Sequence, residues 1–214
     1  MNQFNNILIT GCSSGLGEAL YNDIWNHDGL NPFGHYRTED GDPHALIGDI
    51  TDSDFPEKLD NHIRKYDINC FINNAGIYDG EIIDTNLGSQ IRMLQVVYKY
   101  FLEKEKGRII NINSLAGLYP NSNESVYCAS KFGLKGFSES IQLDAVDTGI
   151  EVTDVYLGGV QTRMTEDRYN YEKLMRADDV ASTIVDLINT KTFYVNAITL
   201  RRRNIFNPDR VMYD

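Results

Sequence analysis

Short, unbroken apolar runs alternate with stretches of helical periodicity along almost all of this 214-residue chain. The runs are Ile7-Leu8-Ile9, Phe33 to Tyr36, Ala45-Leu46-Ile47, Ile68 to Ile72, Arg108 to Ile112, Glu151 to Leu157 and Val195 to Leu200. Most are continuous rather than alternating, which suits strands covered on both faces of a parallel sheet. Between them, Phe55, Leu59 and Ile63 recur at helical spacing, with Pro56 suitably placed at a helix start. Val180, Ile184, Leu187 and Ile188 mark another helix, and the acidic pair Asp178-Asp179 before it favours a helix N-terminus. Strand and helix in alternation predict a doubly wound α/β sheet with helices on both faces, a three-layer α/β/α arrangement. One connection is too short for that pattern: Thr38 to His44 leaves no room for a crossover helix between the second and third strands, so a bare loop is expected there.

Composition narrows the class without changing it. Hydrophobic residues make up 42% and charged residues 24%, as in ordinary globular domains, and neither repeat nor linker interrupts the chain. The length suits a single domain, read as residues 1–214. No run approaches the roughly 20 apolar residues of a membrane helix. The balance of 20 basic against 31 acidic residues gives a net charge of −11, which would repel nucleic acid and anionic membranes. The basic run Arg201-Arg202-Arg203 reads as a solvated strand end rather than an anion site. Cys12, Cys70 and Cys128 have no metal-ligand spacing, no metal site is expected, and their odd number argues against a disulfide framework. With no leader-type segment after Met1, a cytoplasmic location is expected.

Chemistry first appears at the turn after the first strand. Thr10-Gly11-Cys12-Ser13-Ser14-Gly15-Leu16-Gly17 joins that strand to a helical pattern. Glycines there let a pyrophosphate approach the backbone, where a Cβ would stand in the way. Free N–H groups and the positive helix end then favour the phosphates. The spacing is Gly-x-x-x-Gly-x-Gly, not the more common Gly-x-Gly-x-x-Gly.

A second constellation follows the fifth strand, which leads into Ser114. Tyr127 and Lys131 lie further on, at i and i+4 on one helix face. A tyrosine ordinarily ionises near pH 10, and a lysine ammonium one turn away is expected to lower that value. Proton transfer with a carbonyl or alcohol oxygen then becomes feasible, with Ser114 holding the same oxygen. Each element alone has a plain structural explanation; their conjunction, in this order, carries the reading.

With these motifs the chain resembles the short-chain dehydrogenase/reductase family in its single-domain form, from about Asn6 to Leu200. The resemblance implies a Rossmann fold and an NAD(P)-dependent oxidoreductase that moves a hydride between nicotinamide and a carbonyl or alcohol substrate. It assigns Gly11, Ser13, Ser14, Gly15, Leu16 and Gly17 to the cofactor turn, and Asp49 with Ile50 to the adenine pocket. Asn73-Asn74-Ala75-Gly76 matches the motif after the fourth strand, so Asn74, Ala75 and Gly76 are expected to line the cofactor site. Ser114, Tyr127 and Lys131 match the catalytic serine, tyrosine and lysine, the lysine also binding the nicotinamide ribose. Asn86, opening the next helix, matches the fourth member, which supports the lysine through a water. Val160 and Thr162 match positions beside the cofactor amide, although Leu157 stands where the family usually has proline.

No carboxylate stands at His35, Tyr36 or Arg37 to take the ribose hydroxyls of NAD. Arg37 is placed to pair with the 2′-phosphate of NADP, opposed by nearby Glu39 and Asp40, so NADP is favoured and NAD stays possible. In the family the segment matching the one with Met164, Tyr169 and Tyr171 forms the substrate lid; here it is short, which suits small carbonyl compounds, with a larger acyl-carrier substrate left open and the three side chains equally suited to packing. Two alternatives stand beside the enzyme: a non-catalytic dinucleotide sensor on the same fold, and a nucleotide-sugar epimerase or dehydratase, for which the C-terminal region is short. Phe132, Leu134, Phe137, Ile141 and Leu143 extend the apolar surface of the Tyr127 helix, and the family pairs this helix and the one after Asn86 across a two-fold axis, so a homodimer or homotetramer is expected.

Overall fold

A computed structural model describes residues 4–39, 41–190 and 192–203, so Asp40 and the segment at Met1 lie outside the described residues. The elements run β1 (Asn6–Ile9), α1 (Gly15–Trp25), β2 (Asn31–Tyr36), β3 (Leu46–Ile47), α2 (Phe55–Lys65), β4 (Cys70–Asn73) and α3 (Gln90–Glu103). They continue through β5 (Gly107–Ser114), α4 (Ser125–Asp144), β6 (Ile150–Leu157), β7 (Val160–Gln161), β8 (Met175–Arg176), α5 (Ala177–Ile188) and β9 (Ala197–Leu200). Seven strands form one sheet in the order β3-β2-β1-β4-β5-β6-β9, every neighbouring pair parallel. The order reverses direction beside β1, so the carboxyl ends of β1 and β4 open the crevice in which such sheets bind ligands.

The continuous apolar runs are buried on both faces, as the pattern predicts. Ile7 and Ile9 point to one layer with Leu20, Ile24, Ala181, Ile184 and Val185 of α1 and α5. Leu8, Phe71 and Ile109 point to the other, against Leu59 and Ile63 of α2, Leu94 and Val97 of α3, and Leu134 of α4. At about 1.5–3 kcal/mol for each fully buried large aliphatic side chain, these two layers are the main favourable term in folding. β5 and β6 share an eight-residue register from Gly107↔Ile150 to Ser114↔Leu157, which fixes the end of β5 and therefore Ser114.

Among the described residues no helix joins β2 to β3, in line with the short spacing. β3 is only two residues long and pairs at His35 and Tyr36, so it does not reach the part of β2 holding Pro32, whose lack of an N–H a fully paired strand would not accommodate. Three local features lie beyond the sequence reading. Val195 stands ahead of β9, which begins at Ala197. β7 and β8 pair as a separate two-stranded ribbon that ties the segment after Thr162. Asn86 lies in a π-helical turn, Asp84–Ser89, that runs into α3.

Candidate active site

The glycine turn lies between the end of β1 and α1. Gly11 and Gly15 take φ of +76° and +64°, a region that L side chains rarely adopt. A Cβ on Gly17 would stand 2.0 Å from the Gly11 carbonyl oxygen, so only glycine lets α1 start this close to the turn. Ser14 is extended and its side chain does not cap α1, which leaves the first-turn N–H groups to whatever occupies the cleft. Thr10 locks the turn to the next strand: its Oγ1 accepts from the amides of Asn74 (2.9 Å) and Ala75 (3.0 Å), while Asn74 Nδ2 donates to the Thr10 carbonyl at 2.8 Å.

A residue singled out in the sequence only for lacking a carboxylate proves central here. His35 is 2% exposed at the end of β2, and its Nδ1 accepts from the Gly11 amide at 3.1 Å. Its Nε2 therefore carries the proton and donates to the Gly48 carbonyl at 2.9 Å. Burial pushes its pKa below the ordinary histidine value, which keeps the ring neutral and the Gly11 bond made. Gln90 is similar: it donates to the Ala75 carbonyl and accepts from Asn73 at 2.9 Å. No local pattern marks either residue, because each acts through a partner distant in sequence.

A cleft of about 770 Å³ runs from this turn across the carboxyl ends of the strands. Gly11, Ser13, Ser14, Gly15, Leu16 and Gly17 line it, as do Arg37, Asp49, Ile50, Asn74, Ala75 and Gly76. Asn86, Ser114, Tyr127, Lys131, Val160 and Thr162 continue the same wall. The cradle fits a dinucleotide: a glycine floor, an uncapped helix start, and Arg37 at one end. Asp49 accepts from the Thr51 amide and hydroxyl at 2.9 and 2.7 Å, and these bonds lower its pKa. No group of three or more His, Cys, Asp or Glu that would hold a metal occurs among the described residues.

At the other end, Ser114 closes β5 and its hydroxyl accepts from the Ala116 amide at 3.1 Å. The same hydroxyl lies close enough to the Tyr127 phenol of α4 to favour its ionisation. Lys131, one turn on, is 6% exposed, with Nζ 3.5 Å from the Ile112 carbonyl and 5.8 Å from the centre of the Tyr127 ring. The electrostatics correct one expectation. The Tyr127 phenol lies above its ordinary value, not below it, because burial raises it more than Ser114 lowers it. Burial also lowers the Lys131 ammonium to about 8. Asn86 is fully buried, with Oδ1 accepting from the Ile77 amide at 2.8 Å and Nδ2 donating to the Ile77 carbonyl at 2.6 Å. Its side chain thus pins the loop after β4.

Tyr78, Asn121, Glu124, Met164 and Arg168 line the cleft beyond Tyr127. Met164 is half exposed, whereas Tyr169 is 98% exposed and stands outside the lining. The terminal basic run takes no part in the cleft either, and Arg201 lies over the Tyr119 ring.

The short chain dehydrogenase family model matches residues 5–173. The 3-oxoacyl-(acyl-carrier-protein) reductase FabG of Haemophilus influenzae is 29% identical over 90% of this chain and 94% of its own. Its Escherichia coli counterpart is 28% identical over 90% and 93%. A Schizosaccharomyces pombe NADPH-dependent 1-acyldihydroxyacetone phosphate reductase is 31% identical over 74% of this chain and 60% of its own. Among solved structures, an actinorhodin polyketide ketoreductase with NADPH superposes with a TM-score of 0.81 at 23% identity, covering 94% of this chain and 97% of that one. Levodione reductase does so at 0.78 and 22%, covering 92% and 95%. The fold, the family match and the relatives agree: the chain belongs to the short-chain dehydrogenase family and is an NAD(P)-dependent oxidoreductase.

Proposed function

We propose that this protein is an NADPH-linked reductase of carbonyl compounds in which Tyr127 donates the proton, with 3-oxoacyl esters and thioesters the class to test first. The observation that carries the reading is Tyr127 itself, set with Ser114 and Lys131 in the lining of the cleft that begins at the glycine turn. Its raised pKa keeps the phenol protonated at neutral pH, the state a general acid needs. The 3-oxoacyl substrates in the names of the bacterial relatives, and NADPH in that of the yeast relative, support the class and the cofactor.

The cofactor, when bound, supplies a hydride to the substrate carbon. The backbone of Gly11 to Gly17 would hold its pyrophosphate, Arg37 its 2′-phosphate, and Asp49 with Ile50 its adenine. Asn74, Ala75 and Gly76 would line its path, Lys131 would bind the nicotinamide ribose, and Val160 and Thr162 would meet the amide. In this reading Ser114 orients the substrate oxygen and Tyr127 gives it a proton. The positive charge of Lys131 steadies the phenolate left behind, and Asn86 holds the loop that completes the wall.

Residues 1–214 act in this reading as one domain, supported by the two apolar layers on a single sheet. A homodimer or homotetramer is part of it, as is a cytoplasmic location; no helix among the described residues is long and apolar enough to cross a membrane. Fluorescence titration tests the cofactor: NADPH is expected to bind more tightly than NADH. Turnover of ethyl acetoacetate tests the chemistry, and Tyr127→Phe is expected to lower kcat by about 10²–10⁴-fold. Equal turnover in the two proteins would remove Tyr127 from the reaction. Tight NADPH binding without turnover of any 3-oxoacyl compound would favour the dinucleotide sensor.

A further inference from the structure

One carboxylate in the cleft has no part in the chemistry above, yet it is built in firmly. Glu124 precedes α4 and stands three residues before Tyr127, on the same side of the helix. Its Oε1 accepts from the Tyr78 hydroxyl at 2.6 Å and its Oε2 from Asn121 Nδ2 at 2.8 Å. The Tyr78 ring lies 5.1 Å from the Tyr127 ring, tilted by 59°, so fixing the Tyr78 hydroxyl also fixes the surface facing the reactive phenol. Arg168, on the segment beyond Thr162, comes within 4.0 Å of Glu124 and lies 5.9 Å over the Tyr78 ring. Three separate elements thus meet at one carboxylate whose side chain is only 18% exposed.

We propose that Glu124 is a positioning residue for the proton-transfer step: anchored by Tyr78 and Asn121, it holds the Tyr78 ring against Tyr127 and sets a negative charge beside that phenol. The inference rests on the reading of Tyr127 as the proton donor. The charge acts in a defined direction, because a phenolate next to a carboxylate is disfavoured and the neutral phenol retained. The groups around Tyr127 are Cys128 and Lys131 from its own helix, Glu124 from just before that helix, Ser114 from β5, Tyr78 from the loop after β4, and Arg168 from the segment beyond Thr162. Glu124 and Cys128 resist ionisation of the phenol, while Ser114 and Arg168 assist it. Glu124 is the carboxylate of this set, and its hydrogen bonds hold it in place.

The test uses the reverse reaction, in which the phenol must lose its proton. With ethyl 3-hydroxybutanoate and NADP⁺, kcat/KM for oxidation rises with pH, and Glu124→Gln is expected to move that rise down by about 0.5–1 pH unit. Glu124→Asp, which keeps the charge, is expected to restore the wild-type position even where kcat falls. A merely structural role predicts the opposite ranking, with the near-isosteric glutamine the milder change. Coincident pH profiles for wild type, Gln and Asp would overturn the proposal. If Glu124→Gln does not fold, Tyr78→Phe replaces it: the loss of the anchoring hydroxyl is expected to raise KM for ethyl acetoacetate severalfold, and an unchanged KM overturns the positioning role. A wild-type protein that turns over neither probe refutes the reductase reading instead, so the two failures are distinct.

Discussion

Tyr127 and Lys131 share one face of α4, and burial moves them in opposite directions: the phenol up, the ammonium down to about 8. Both shifts favour the uncharged form, as desolvation must. The lysine is thus the group that titrates near working pH. As pH rises through about 8, Lys131 loses the proton that makes it a cation, and the phenolate formed on proton donation loses its support. The kcat/KM for reduction is therefore expected to fall on the alkaline side with a midpoint near 8, whereas a limb set by Tyr127 would lie above 10. A pH–rate profile with ethyl acetoacetate checks this, and a flat profile from pH 7 to 9.5 would exclude Lys131 as the titrating group. The i, i+4 spacing was legible in the sequence; the sign of the tyrosine shift was not. Spacing places two charges on one face but does not reveal how much water the fold removes from each.

At the scale of elements, β5, β6 and α4 are joined by a buried polar network as well as by apolar packing. Asp154 on β6, 1% exposed, accepts from Ser138 Oγ of α4 at 2.6 Å and from Asn111 Nδ2 of β5 at 3.2 Å. Burial outweighs these bonds and raises its carboxyl to about 6, from an ordinary 3.8. A folded pKa above the unfolded one means that this group's contribution to stability is fully present below about pH 4 and is lost as pH rises through about 6. At 1.36 kcal/mol per unit the loss amounts to about 3 kcal/mol. Relative to wild type, Asp154→Asn is therefore expected to gain stability progressively from pH 4 to pH 7, as measured by urea unfolding at each pH. A stability difference that does not vary with pH would contradict it. The strands themselves were legible as apolar runs, and so was the missing helix after β2. Asn111, Asp154, His35 and Gln90 were not, because the role of a polar residue inside a strand or at a helix start is set by partners that only the tertiary fold supplies.

For the whole molecule, the apolar surface is unevenly spread. Val126, Phe132 and Leu143 of α4 and Leu102 of α3 are exposed by 51%, 41%, 76% and 42%, on the two helices through which the family resemblance implies pairing. The proposed dimer or tetramer would cover such side chains with a second copy. Sedimentation at micromolar concentration is expected to show a dimer or tetramer, and Leu143→Glu is expected to weaken assembly about tenfold or more. A wild-type monomer under those conditions would refute the pairing. The sequence already carried this surface in Phe132 and Leu143, but not the burial of Leu134 and Ile141 on the same helix, which leaves less free apolar area than the run suggested.

The bare connection between β2 and β3 bears on time as well as on shape. In the proposed reading a dinucleotide along the glycine turn would meet Arg37 and the Asp49 loop at its adenosine end, with no crossover helix beside them among the described residues. Fewer walls mean fewer contacts to break on departure, so residence shortens more than arrival slows. Departure of the spent nucleotide sets the pace of many well-evolved enzymes. In this protein the omitted helix is therefore expected to shift that limit from exchange towards the chemical step, so that substitutions at Tyr127 and Lys131 show in kcat; a pre-steady-state burst of product would contradict it.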